Sequence, residues 1–218
     1  GCLWPDQPEC SARRNLSQAL FNLRQVIHDK ETSPPFLKVS RQSVQLNPQS
    51  DYWLDVAVFG AHISASQHSL HPSSPQTCKP CVERLERAVA LYRGEFLAGL
   101  CVGDSVPFSE WATLLRERFH RQVLDALYHL TEHYERRRDD ARARDYARRQ
   151  VELAPWREEA HRQLMRLLAR GGQRSAALHQ YETCRQILAD QLDVVPSAKT
   201  RRLYGRLRQV PELGAHNL

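Results

Sequence analysis

The sequence predicts a mainly α protein: stacked, tetratricopeptide-like helical hairpins, preceded by one helix and a β-hairpin. Three observations carry this. From Phe108 onward, apolar residues recur at helical spacing almost without interruption. Segments 139–155 and 173–189 repeat at 34 residues, with Ala143 matching Ala177 and Leu153 matching Ile187, although Ala189 stands where the first segment closes on Pro155. That is the tetratricopeptide period, and small Ala residues let paired helices approach closely. Before residue 50 the pattern differs: one amphipathic helix is followed by two short alternating runs.

The first element spans Ser11 to Asp29. Leu16, Leu20, Leu23 and Ile27 form an apolar stripe flanked by Ala12 and Ala19, and Ser11 is placed to cap the start. Opposite the stripe lie Arg14, Ser17, Gln18, Phe21, Gln25 and His28, with Arg13 and Arg24 beside them. No acid interrupts this face before Asp29. Long cations, amides and a hydroxyl suit phosphate oxygens and base edges in a major groove. The plain alternative is an ordinary surface helix of a helical protein.

The Pro34-Pro35 pair ends any helix. Leu37, Val39, Val44 and Leu46 then alternate with Lys38, Ser40, Gln45 and Asn47, which predicts two strands joined by a turn at Ser40 to Ser43. A helix followed by a basic-tipped hairpin is the C-terminal half of a winged helix-turn-helix. In the helix, Gln18 is a candidate for an adenine edge and Arg14 or Arg24 for guanine or phosphate. Phe21 is placed either to meet a thymine methyl or to pack against other protein. The expected DNA-binding set is Arg13, Arg14, Ser17, Gln18, Asn22, Arg24 and Gln25 on the helix, with Lys38, Arg41 and Gln42 on the wing.

Charge supports this segment more than it supports the whole chain. The formal charge is +6 over 218 residues. Between Ser11 and Leu46 six Lys or Arg face two acids, a local +4, whereas the ten residues before and the fourteen after each carry −2. The remaining excess is Arg mixed with Glu and Asp, the pattern of solvated helical faces. No run approaches the ~18 apolar residues of a membrane span. No signal-peptide pattern opens the chain, which starts with Gly and holds Met165 as its one Met, as an excised or processed piece would.

The later elements follow in order. A helix is expected from Tyr52 to about Gln67, with Asp55, Phe59 and Ile63 four apart, then a loop over 68–80 rich in Pro, Ser and His. Leu85, Val89 and Tyr92 mark a helix that Gly94 ends or kinks. Asp104 or Ser105 caps the next, with Pro107 in its first turn and Trp111, Leu115, Phe119, Leu127, Leu130 and Tyr134 as its buried stripe to about Arg138. Asp139-Asp140 caps a helix packed through Ala143, Ala147 and Val151 and closed by Ala154-Pro155. Trp156 to Arg170 follows, with Glu158 and Glu159 favouring the dipole and Gly171-Gly172 closing it. Ser175 to Leu192 presents Leu178, Tyr181, Cys184 and Leu188 on one face, and Pro196 opens a last helix with Leu203 and Leu207.

Catalytic and metal patterns are weak. Six cysteines at these spacings make no disulfide framework. Cys78-Lys-Pro-Cys81 lacks the second pair that a zinc site needs, even with His68 and His71 nearby, and reads as two thiols where a loop enters a helix. His129-Leu-Thr-Glu132-His133 puts two His on one helical face, but no third ligand can be assigned, so they read as partly exposed helix residues. No phosphate loop or nucleophile elbow is present. The chain is expected to be no enzyme and to need no metal or cofactor.

Several strings resemble the bacterial transcriptional activator domain family, typified by regulators of antibiotic-pathway genes. Leu3, Trp4, Pro5 and Asp6, the Ala12 to Leu16 start and the triplet Asn22, Leu23, Arg24 match the winged-helix part. Leu91 to Gly99, LYRGEFLAG, is the most specific match, joined by Asp104-Ser105 and Glu110-Trp111. In that family the first strands and helices of the winged helix lie before the position of Gly1. The resemblance implies a partial winged helix over 1–50 and a tetratricopeptide-like activator domain over 51–210. It implies a cytoplasmic transcriptional activator that binds double-stranded promoter DNA and touches RNA polymerase, another protein or a second copy of itself, with no membrane contact. The alternative is a helical interaction scaffold with no DNA binding of its own.

Overall fold

The computed structural model describes residues 4, 6–40, 43–67, 78–100, 102 and 105–209. Its elements in order are α1 (Glu9–Val26), β1 (Leu37–Val39), β2 (Val44–Leu46), α2 (Asp55–Gln67), α3 (Lys79–Leu91), α4 (Val106–Arg136), α5 (Asp140–Leu153), α6 (Glu158–Arg170), α7 (Arg174–Leu192) and α8 (Ala198–Gln209). The mainly helical fold with a two-stranded sheet is the one expected. By internal contacts the chain divides into two units, residues 1–58 with 94–119, and residues 59–93 with 120–218.

In the first unit, α1 starts two residues earlier than expected. Pro8 precedes it, and no side chain caps it, Ser11 included. Pro8 fixes φ at −53° but its ring carries no acceptor for the free amides of the first turn. No residue of α1 is fully buried. Of the expected apolar stripe, Leu20 and Ile27 are half-buried, while Leu16 and Leu23 are 37% and 44% exposed. Periodicity marks which face is apolar but does not specify a segment to cover it.

The helix ends where His28 takes a left-handed φ of 53°. Strands β1 and β2 pair antiparallel in the register Leu37↔Leu46 and Val39↔Val44. Of the four apolar strand residues only Leu37 is buried. The turn is held by Ser40, whose amide donates to the Ser43 carbonyl at 2.9 Å.

The 94–119 part of this unit accounts for the LYRGEFLAG string. Phe96 meets Trp111 and Phe119 edge-on, with centroids 5.7 Å and 5.4 Å apart. Arg116 donates to the carbonyls of Phe96 and Leu97 at 2.8 Å and 3.0 Å. Leu97 and Gly99 both take positive φ, so the turn needs the permissive residue that stands at Gly99. At the start of α4 the Phe108 amide donates to Ser105 Oγ at 3.3 Å; Asp104, the other expected cap, lies outside the described residues.

The second unit holds the core. Phe59 and Ile63 of α2 are buried, as are Cys81, Leu85, Ala88 and Val89 of α3. α2 starts at Asp55, three residues after the expected Tyr52, and α3 ends at Leu91, ahead of Gly94. Val123, Leu127 and Leu130 of α4 are fully buried. Burial of each such side chain stabilises by ~1.5–3 kcal/mol. The 34-residue correspondence is structural: Ala143 and Ala177 are both completely buried, each at the first helix of a hairpin, α5–α6 and α7–α8. Asp139 Oδ1 accepts from the Arg142 amide at 3.2 Å, and α6 closes on Gly171 and Gly172, the latter with φ 75°. Tyr204 of α8 stacks on Tyr181 of α7 at 4.1 Å.

The core also carries polar groups that periodicity did not single out. Gln150 donates to Thr131 Oγ1 at 3.0 Å and to Gln163 at 2.9 Å, all three buried. His161 is fully buried, with Nε2 2.8 Å from the Pro155 carbonyl and Nδ1 2.7 Å from Gln180 Nε2. A carbonyl only accepts, so Nε2 carries the proton and Nδ1 accepts. His133, expected as partly exposed, is buried. Cys184 is the small core residue expected, and burial pushes its thiol up to about 11.

Candidate nucleic-acid interface

The candidate interface is built on α1 and the hairpin. Arg14, Gln18, Phe21 and Gln25 follow at intervals of four, three and four, so they line one side of a regular helix over about 16 Å. All four are exposed. A major groove about 12 Å wide admits such a helix, and amide and guanidinium groups at one-turn intervals meet successive base edges.

Each expected residue can now be placed. Arg13, Arg14, Ser17, Gln18, Asn22, Gln25 and Lys38 are exposed. Arg13 pairs with Glu9 at 2.6 Å, and Ser17 Oγ donates to the Arg13 carbonyl at 2.9 Å. Gln18 Nε2 donates to Asn22 Oδ1 at 3.0 Å, one turn along the helix. This pair leaves the Gln18 carbonyl oxygen and the Asn22 amide group uncommitted. Arg14, Gln25 and Lys38 have no ion pair or side-chain hydrogen bond among the described residues, so a ligand there would break no internal contact. Arg41 and Gln42 lie outside the described residues.

Arg24 sits differently. Its Nε donates to Asp29 Oδ2 at 2.8 Å, and its side chain is about one-third exposed. Asp29 is fully buried, and its other oxygen accepts from the Leu37 amide at 3.0 Å. One carboxylate therefore ties the end of α1 to the first residue of β1. The sequence showed Asp29 only as the first acid on an otherwise acid-free face. Glu31 lies in the same connection, so the sequence offers no local signal that picks out Asp29. Asn47 adds a second tie: its side-chain amide donates to the Pro35 carbonyl at 2.8 Å, and its backbone amide to the Phe36 carbonyl at 2.7 Å.

These ties hold open a concavity of about 600 Å³, lined by Ser17, Phe21, Arg24, Gln25, Lys30 and Val39 among others. Phe21 is half exposed there. The lining mixes two cations, one amide (Gln25) and the aromatic Phe21 with one carboxylate, Glu31, which lies 3.4 Å from His28. Nothing in it supplies a nucleophile paired with a base. Among the described residues no group of three His, Cys, Asp or Glu is placed to hold a metal ion. His68 and His71 are not described, Cys78 immediately precedes α3, and Cys81 is buried in its first turn. None of the described helices is long and apolar enough to cross a membrane.

The fold thus defines a class: helical-hairpin repeats that follow a helix and a two-stranded wing. The family model for the bacterial transcriptional activator domain matches residues 54–208, well over half of the sequence. The chain belongs to the bacterial transcriptional activator domain family, a family of transcriptional regulators of the activator type. No curated protein sequence matches it. Among solved structures it is similar to EmbR of Mycobacterium tuberculosis in complex with a low-affinity phosphopeptide. The identity is 23% and the TM-score 0.68, with 96% of this chain and 53% of that chain covered. The chain therefore spans about half the length of that protein, and at this identity the likeness establishes the fold.

Proposed function

We propose that this chain is the DNA-reading and platform portion of a transcriptional activator. α1 enters the major groove of promoter DNA, and the β1–β2 hairpin contacts the backbone or minor groove. Residues 1–50 form the reading part, and residues 51–210 the helical activator domain that meets polymerase, another protein or a second copy. The reading rests on one observation above others: the α1 face carrying Arg14, Gln18 and Gln25 is exposed along its length, and none of the three is tied up by a carboxylate among the described residues. Family membership supplies the regulatory context, while the matched region begins after the reading part. Arg13, Arg14 and Lys38 are the phosphate-contact candidates; Gln18, Asn22 and Gln25 are the base-edge candidates, with Ser17 able to serve either. Arg24 is assigned first to holding the wing, with its remaining guanidinium donors turned to phosphate. Arg41 and Gln42 remain proposed wing contacts on sequence grounds.

The test is duplex DNA selected from a random pool by the chain, then titrated by fluorescence anisotropy. Arg14→Ala is expected to weaken binding across sequences and to lower the salt slope by about one. Gln18→Ala is expected to cost about 1–3 kcal/mol at one base position and to relax specificity there. Unchanged affinity and unchanged preference in both variants would remove α1 from the reading role.

A further inference from the structure

A second charged surface lies far along the sequence from α1, in the α6–α8 part of the second unit. Helix α8 carries Lys199, Arg201, Arg202, Arg206 and Arg208 and no acid. Lys199, Arg202 and Arg206 fall on one side of it at intervals of three and four. They face Arg162 and Arg166, one turn apart on α6, across a groove of about 530 Å³ with Leu203 in its wall. The two rows differ in their counterions. Arg162 lies 3.9 Å from Glu158 and 3.6 Å from Glu159, and Arg166 lies 3.6 Å from Glu132 and 3.2 Å from Glu135. Lys199, Arg202 and Arg206 have no carboxylate within 4.0 Å among the described residues; Arg202 bonds only the Ala198 carbonyl of its own helix. Leaving three like charges along one groove wall is unfavourable without an anion to answer them.

We propose that the α6–α8 groove is a docking site for an acidic, Glu- or Asp-rich segment of a partner protein. The shape decides between this and a duplex. Arg162 is recessed, with its side chain 16% exposed, while Arg166 is 39% exposed. A narrow peptide fits between the α6 and α8 rows and reaches Arg162, whereas a duplex, wide and convex, touches only the exposed cations. The spacing fits as well. Cations one turn apart on a helix stand roughly 5–6 Å apart. Same-face residues of an extended peptide recur at ~6.6 Å, close enough for flexible Arg and Lys heads to pair with successive carboxylates. Leu203, buried at 6% exposure, anchors α8 beneath the groove. The proposal is independent of DNA reading by α1.

The experiment uses the 218-residue chain and a fluorescein-labelled Glu-rich peptide. About six residues match the length of α8 when extended. A Gln counterpart serves as the neutral control, in buffer near physiological ionic strength. Two charge-matched double variants separate the groove from general basicity: R202Q/R206Q removes groove cations, and R201Q/R208Q removes α8 cations outside the groove. All four side chains are exposed, and melting curves check that both variants fold. Saturable binding of the Glu peptide is expected, weakened about tenfold or more in R202Q/R206Q and about twofold or less in R201Q/R208Q. The R14A/Q18A variant is expected to bind the peptide as the parent does, even if it has lost DNA. Equal losses in the two double variants, or no saturable binding by the parent, would overturn the proposal. Displacement of the peptide by duplex DNA, together with loss of DNA binding in R202Q/R206Q, would instead make the groove a nucleic-acid surface.

Discussion

Asp29→Ala tests how α1 is held to the β1–β2 hairpin. The Asp29 carboxylate is fully buried and accepts from Arg24 Nε at 2.8 Å and from the Leu37 amide at 3.0 Å. Removing it strands the Leu37 amide at a buried position, which costs about 1–3 kcal/mol. The Arg24 pair adds about 1 kcal/mol at most, because its guanidinium is one-third exposed and screened. The sum is a local destabilisation of about 1–4 kcal/mol at the α1–β1 junction. Native-state hydrogen exchange reads it at the right place. The Leu37 and Asn47 amides are expected to exchange about five to several hundred times faster, as ~1.4 kcal/mol per tenfold requires, while amides of α5 and α6 keep their protection. Asp29→Asn is expected to fall between, since its oxygen still accepts from Leu37 while its amide group opposes Arg24. Leu37 exchange unchanged within a factor of two in Asp29→Ala would refute the bridging role.

The remaining predictions concern the helical repeats. Ala177→Leu inserts a large side chain where exposure is zero, and is expected to destabilise by about 1–3 kcal/mol, read from urea midpoints; Ala143→Leu behaves alike if the 34-residue correspondence holds. His161 gives a pH dependence. Burial lowers its pKa, outweighing the raising effects of the Pro155 and Gln180 hydrogen bonds and of Glu158. Its contribution is therefore complete above the unfolded pKa of about 6.5 and is lost as pH falls below it toward the lowered folded value. Urea midpoints are expected to drop between pH 7.5 and 5.5, and to drop less in His161→Gln, which starts less stable. An equal drop in both would show that other groups carry the pH dependence.

The helical repeats were legible because their signals were redundant. Asp139 caps, Ala143 and Ala177 pack at one period, and Gly171-Gly172 supplies the turn, so pattern, cap and breaker agree at the start of α5 and the end of α6, whereas α6 and α8 each start two residues later than expected, at Glu158 and Ala198. The α1 boundary was misplaced because Ser11 offered an acceptor while Pro8 had already set the entry conformation. The α2 start was misplaced because Tyr52 to Leu54 is as apolar as a helix face, yet Asp55 begins the hydrogen-bonded turns. Leu16 and Leu23 showed that an amphipathic stripe names a face and not its cover. In the candidate interface the exposed donors were legible from composition. Asp29 was not, since burial of a single carboxylate depends on a strand eight residues away. The α6–α8 groove escaped for the same reason: its cations belong to two helices whose adjacency no local pattern states.

The central claim, that the α1 face reads DNA, is tested most directly by amide and side-chain NMR of the 218-residue chain titrated with a selected duplex. Chemical-shift changes are predicted to cluster on Arg13 to Gln25 and on Lys38, with the side-chain amides of Gln18, Asn22 and Gln25 among the most perturbed. Changes confined to α5–α8, with the α1 resonances unmoved at saturation, would contradict it.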